Sequence, residues 1–124
     1  MIKYLKLEDL KSYKISRDLS KLIWEEIIKW DYLSKRSMGD QFIRAIDSIG
    51  ANIAEGFGRY HKKDKIKFYY NARGSLFESF HWLELAKERN LITQKAYDLI
   101  NSKLKTLPLE INYLIKITNE KLTI

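Results

Sequence analysis

The chain has 124 residues, enough for one domain (residues 1–124) around one hydrophobic core. It contains no cysteine, which excludes disulfides, thiolate metal sites and a thiol nucleophile. Its 23 Lys and Arg against 16 Asp and Glu leave a net charge of +7, a field that favours a polyanionic partner such as nucleic acid without selecting one.

The opening Met1-Ile-Lys-Tyr-Leu-Lys6 lacks the apolar core and small-residue cleavage site of a signal peptide. No apolar run is long enough to cross a bilayer, so a cytoplasmic protein with no membrane partner is expected. A first amphipathic helix is expected from about Glu8 to Asp31, with Ile15, Leu19, Leu22, Ile23, Ile27 and Trp30 facing the core. The turn Tyr32 to Ser37 follows, and Ser37 is placed to cap the second helix. In that helix Phe42, Ile46, Ile49, Ile53 and Phe57 recur at steps of three and four, and the glycines of Gly56-Phe-Gly58 end it. A third helix, about Lys62 to Arg89, buries Phe68, Tyr69, Ala72, Leu76, Phe80 and Leu83. After Asn90-Leu-Ile-Thr93, with Thr93 as cap, a fourth helix aligns Ala96, Ile100, Leu104, Leu107, Ile111 and Leu114. Pro108 lies inside it and removes the bond to the Leu104 carbonyl, at ~3 kcal/mol in an exposed helix interior. A kink is expected there, because the apolar stripe continues on both sides. Short connections between long helices imply an all-α, antiparallel up-down-up-down four-helix bundle.

Two helices carry more apolar surface than a lone bundle needs. Trp24 and Ile28 stand opposite the core stripe of the first helix. Tyr70 and Phe77 lie outside that of the third, with Trp82 and Leu85 on a further side. Such surfaces mark interfaces, so a homo-oligomer using Trp24, Ile28, Tyr70 and Phe77 is expected. Scattered surface aromatics on a monomer are the alternative.

A polar stripe, Arg44, Ser48, Asn52, Glu55 and Arg59, runs beside the apolar stripe of the second helix. Its partner is expected in Arg73-Gly-Ser-Leu-Phe-Glu78 of the third. Small Gly74 and Ser75 would let the backbones approach, Asn52 would bond Ser75, and Glu55 or Glu78 would accept from Arg44 or Arg59. Buried pairs of this kind fix register more than they add stability. A binding role for some of these residues stays open.

Charge concentrates in Arg59-Tyr-His-Lys-Lys-Asp-Lys-Ile-Lys67. From Arg59 to Arg73 there are six basic residues (Arg59, Lys62, Lys63, Lys65, Lys67 and Arg73) and one acidic residue, interleaved with Tyr60, Phe68, Tyr69 and Tyr70. Cations neutralise phosphates and aromatics stack on unpaired bases. The alternative is a solvated basic turn, and Phe68 and Tyr69 read better as core. Lys14, Arg17 and Lys21 add a weaker outward patch on the first helix. Glu78-Ser-Phe-His81 has Glu-x-x-His spacing, but the second copy that a di-metal bundle needs is missing. Gly56-Phe-Gly58 follows no strand and lacks the third glycine of a dinucleotide fingerprint. Nothing resembles a catalytic triad, so no enzyme activity, metal or other cofactor is expected.

The run Arg44-Ala-Ile-Asp-Ser-Ile-Gly-Ala-Asn-Ile-Ala-Glu-Gly-Phe-Gly-Arg59 resembles the R-x-x-x-S-I-x-x-N-I-A-E-G-x-x-R core of a bacterial family, the proteins encoded in intervening sequences of the 23S rRNA gene. Gly74-Ser-Leu-Phe-Glu78 and the opening Leu7-Glu-Asp-Leu10 fit the same family, so the likeness spans nearly the whole chain. The motif lands on Arg44, Ser48, Asn52, Glu55, Gly56 and Arg59. The resemblance implies four antiparallel helices and a ring-shaped homopentamer, and no established catalysis. The chain is also similar to the accessory protein of diversity-generating retroelements, a basic pentamer that contacts nucleic acid and a reverse transcriptase. Two functions are therefore expected to compete: an RNA- or DNA-associated scaffold, and a protein-interaction module whose partner is a protein such as a reverse transcriptase.

Overall fold

A computed structural model describes residues 5–121, and the sequence reading of Met1 to Tyr4 lies outside them. The first ordered element is a single 3₁₀ turn, Leu7–Asp9, held by the Lys6 amide donating to the Asp9 carboxylate at 2.9 Å. Helix α1 (Lys11–Ile27) follows and ends four residues before the expected Asp31. Its last turn tightens, with Lys29 N–H bonding Glu26 C=O and Trp30 N–H bonding Ile27 C=O. That turn carries Trp30 into the core, where its ring lies 6.5 Å from that of Phe42.

The second helix, α2 (32–58), starts earlier than the sequence suggests. Asp31, not Ser37, is its cap: the Asp31 carboxylate accepts from Ser34 N–H at 2.9 Å and from the Ser34 hydroxyl at 2.8 Å. Those bonds, the backbone one first, hold the Asp31 carboxyl below the usual carboxylate range. Ser37 lies within Lys35–Gly39, where the helix widens and Asp40 N–H reaches back five residues to Lys35 C=O. The extra residue turns Met38 and Gly39 inward, with Gly39 so near α1 that a Cβ would stand 3.1 Å from Ile27 Cγ2. The regular part, Asp40–Gly58, buries Phe42, Ile46, Ile49 and Ile53 as expected and half-buries Phe57.

Helix α3 (Lys62–Glu88) matches expectation to one residue. It stops because Asn90 takes φ 57°, the left-handed conformation of a helix C′ residue, and Leu91 N–H closes onto Ala86 C=O at 2.9 Å. The Thr93 hydroxyl accepts from Ala96 N–H at 3.1 Å and starts α4, which comes in two parts, Gln94–Leu104 and Leu107–Lys121. The expected kink is thus a two-residue interruption at Lys105 and Thr106. Pro108 cannot donate to Leu104, and as the second residue of the new segment it needs no donor. The apolar stripe runs through the gap, with Ile100, Leu104, Leu107, Ile111 and Ile115 all buried.

The chain is all-helical, with four helices and no strand among the described residues. The seam between α2 and α3 is the most extensive; α1 packs on α2 and α4, and α3 on α2 and α4, so α1 and α3 occupy a diagonal. The contacts of α1 with α2 and with α4 run in opposite order along the two helices of each pair. Between α1 and α2, Ser16 meets Gly50, Ser20 donates to Asp47 at 2.5 Å, and Ile27 meets Gly39. Between α1 and α4, Lys11 pairs with Glu110 at 3.4 Å and Asp18 with Lys103 at 4.0 Å. The core corrects several expectations. Ile15, Leu22, Phe68 and Phe80 are only half-buried, while Ser12, Ser16 and Ser79 are buried outright. Ser16 and Ser79 return their hydroxyls to carbonyls of their own helices, Tyr13 and Ser75, at 2.8 Å each. With their polar atoms satisfied locally, they act as small residues that let helices come close. Trp82 and Leu85 pack against the core and do not form a separate outer side.

Candidate nucleic-acid interface

Residues 59–61 connect α2 to α3, and around them the charged segment folds back on itself. Lys65, one turn into α3, reaches across to the end of α2. Its ammonium donates to the carbonyls of Phe57 at 2.7 Å and Gly56 at 3.3 Å at the helix end, where the Gly56 carbonyl also accepts from Arg59 N–H at 3.2 Å. Burial of this lysine pushes its pKa below the ordinary lysine value. Lys65 is therefore a helix cap. Lys62 donates to the carbonyl of Asn119 near the end of α4, at 3.4 Å. Arg59 lies with its guanidinium carbon 4.7 Å from the Phe68 ring centre, and its Nη2 donates to the Glu55 carboxylate at 3.4 Å. Arg73 lies over Phe77 at 5.4 Å, with its Nε buried and unpartnered in the described residues. Lys63 and Lys67 are exposed, and Lys67 Nζ stands 5.9 Å from the Phe68 ring.

Tyr60 is 73% exposed, and its ring meets the edge of His61 at 5.2 Å. The opposite end of α2 differs in charge. Residues 25–40 there contain four acids and three bases, so the cationic excess sits at the α2–α3 turn. Lys14, Arg17 and Lys21 are exposed along α1. Arg17 donates to the Tyr13 hydroxyl at 2.9 Å and borders a 170 Å³ cleft between α1 and α2 that Ser20, Asp47 and Gly50 also line.

The polar stripe pairs along its own helix. Asn52 donates to the Ser48 carbonyl at 2.8 Å, not to Ser75, whose carbonyl instead receives the Ser79 hydroxyl. Glu55 takes Arg59 within α2; Glu78 takes the Trp82 indole N–H at 2.9 Å. Arg44 is exposed. The close approach expected at Gly74 is found at Gly56. A Cβ on Gly56 would stand 2.6 Å from Tyr69 Cε1 and 3.0 Å from the Lys65 carbonyl, whereas one on Gly74 would meet nothing within 4 Å. Glu78 and His81 are exposed, and among the described residues no group of three His, Asp or Glu is placed to hold a metal ion.

The four expected interface residues are about half exposed: Trp24 58%, Ile28 50%, Tyr70 53% and Phe77 52%. Trp24 and Ile28 also border a 240 Å³ apolar cavity with Ile43 and Gly39, a feature the sequence pattern does not announce. It follows from the widened turn of α2, which periodicity cannot show.

This fold and motif have relatives. The model of a family described as 23S rRNA-intervening sequence protein matches residues 8–113. The chain belongs to that family. A crystal structure of a protein of unknown function from the S23 ribosomal protein family, from Bacteroides thetaiotaomicron, superposes with a TM-score of 0.75 at 25% identity. The match covers 85% of this chain and 98% of that one. No curated protein matches the chain. No helix among the described residues is long and apolar enough to cross a membrane.

Proposed function

We propose that this member of the 23S rRNA-intervening sequence family is a non-enzymatic nucleic-acid-associated scaffold, with RNA as its first partner. The observation that carries the reading is the collection of cations at the α2–α3 turn, at the end of α2 remote from a near-neutral corner. Phosphate neutralisation by such a patch is independent of sequence and steeply dependent on salt. The reversed order of contacts between neighbouring helices supports an antiparallel up-down-up-down bundle.

The scaffold is a homopentamer in this reading, five being the number that the family resemblance implies. The exposed apolar residues lie on diagonal helices, Trp24 and Ile28 on α1, Tyr70 and Phe77 on α3. Two unlike patches that meet between copies make a head-to-tail contact, which gives a ring where the rotation between copies closes. A ring repeats one modest cationic patch and raises affinity through avidity where several engage one strand. The same apolar patches support a second reading, a protein-interaction module with a partner such as a reverse transcriptase.

The test is RNA binding by the purified protein across a salt series, with its mass in solution measured in the same buffers. Lys63→Glu combined with Lys67→Glu leaves the Lys65 cap intact. It is expected to lower affinity by at least tenfold at low salt while the helical circular dichroism and the mass stay as they were. Unchanged binding in that variant removes the cationic turn as the interface. Absence of binding by the unaltered protein favours the protein partner.

A further inference from the structure

We propose that Tyr60, next in the chain to Arg59, whose guanidinium lies over Phe68, is a stacking platform for an unpaired base, with Lys63 and Lys67 taking the phosphates that flank it. The inference rests on the nucleic-acid reading and specifies its ligand as a single strand, not a duplex.

The argument begins with what Tyr60 does not do. It lies in a three-residue connection, 73% of it faces solvent, and its one aromatic contact among the described residues is with the neighbouring His61. The core has no use for it. Phe68 behaves differently, half-buried beneath Arg59 and Lys67. A guanidinium backed by a phenyl ring on one side offers its other side to a second flat group, and unpaired bases stack on both arginine planes and tyrosine rings.

The cations divide in a way that fits the same ligand. Lys65 and Lys62 are spent on carbonyls of α2 and α4, Arg59 is held by Phe68 and Glu55, and Arg73 leans on Phe77. Lys63 and Lys67 remain exposed. They are four residues apart on α3, which sets them side by side on one helix face, about 6 Å between Cβ atoms. Both fall within the first two turns after Tyr60. A duplex presents phosphates to such lysines but keeps its base faces inside the stack, so only a single strand can use Tyr60 as well.

The experiment compares a fluorescein-labelled mixed-sequence RNA, single-stranded or annealed to its complement, titrated with the full chain at fixed low salt. Tyr60→Ala is expected to weaken single-strand binding about tenfold while leaving duplex binding, salt dependence and mass unchanged, and Tyr60→Phe to restore it. Tyr60 supports no core contact, so the variant keeps the fold. Equal loss for both RNAs, or no loss in Tyr60→Ala, overturns the stacking platform and leaves the nucleic-acid reading standing. Binding of neither RNA by the unaltered protein overturns both.

Discussion

The two faces of α3 are built on different rules. Its inner face is narrow and close-fitting: Tyr69, Ala72, Leu76, Ser79, Leu83 and Ala86 are all buried against the rest of the bundle. Its outer face places Tyr70 and Phe77 in solvent, with Gly74 between them opening a notch. On the inner side residue size follows from what the neighbouring helix leaves room for. On the outer side Phe77 meets only Arg73 and Phe80 of its own helix among the aromatic and cation contacts of the described residues, and both aromatics stay about half exposed. A helix apolar on both sides, with one side packed among the described residues, fits the assembly proposed above.

Glycine substitutions separate the two faces most sharply. Gly56→Ala pushes a methyl group into the Tyr69 ring and toward the Lys65 backbone, so the α2–α3 seam must shift to admit it. A loss of about 3 kcal/mol in folding free energy is expected, read as a lower urea midpoint; an unchanged midpoint would mean that the α2–α3 seam is looser than drawn. Lys65→Met keeps most of the stem and removes the charge that caps α2. It should cost about 1.5 kcal/mol by the same measurement, because two carbonyls lose a charged donor and regain only partial hydration. Gly74→Ala should act in the opposite sense. In dilute single chains it adds about 1 kcal/mol from helix propensity alone. At higher concentration it fills the notch, so sedimentation should show smaller species than the unaltered protein forms. Stabilisation with no change in assembly would remove Gly74 from the interface.

The contrast also explains which parts could be read from the sequence. The extent of α3 was legible because its polar and apolar periodicity is unbroken and Thr93 marks the next start. The α1–α2 corner was not. Ser37 and Asp31 are both respectable caps, and only the fold shows that Asp31 reaches Ser34 and that the helix then widens by a residue. Gly56 and Gly74 are chemically identical in the sequence, so the close approach assigned to Gly74 belongs to Gly56, while the end of α2 at Gly58 agrees with the glycine signal. The basic segment was visible as charge, but charge does not say where an ammonium goes. Lys65 lies inside a run of lysines and serves the backbone of α2, a distinction that needs the three-dimensional path of the turn. Asn52 and Ser75 looked like partners because each is a short polar residue at a helix seam. Asn52 instead bonds within its own helix, the less demanding geometry for a short side chain, and Ser75 gives its carbonyl to the Ser79 hydroxyl.

The Lys65 bridge bears on how the chain acquires its shape. It joins residues only eight and nine positions apart, across the shortest connection between long helices, and the largest seam of the bundle lies directly beyond it. Little chain entropy is lost in closing so small a loop, and contacts between sequence neighbours favour rapid folding. The α2–α3 hairpin can therefore assemble before α1 and the divided α4 have found their places. On that account the motif from Arg44 to Arg59 and the cationic turn after it are the expected kinetic seed of the bundle.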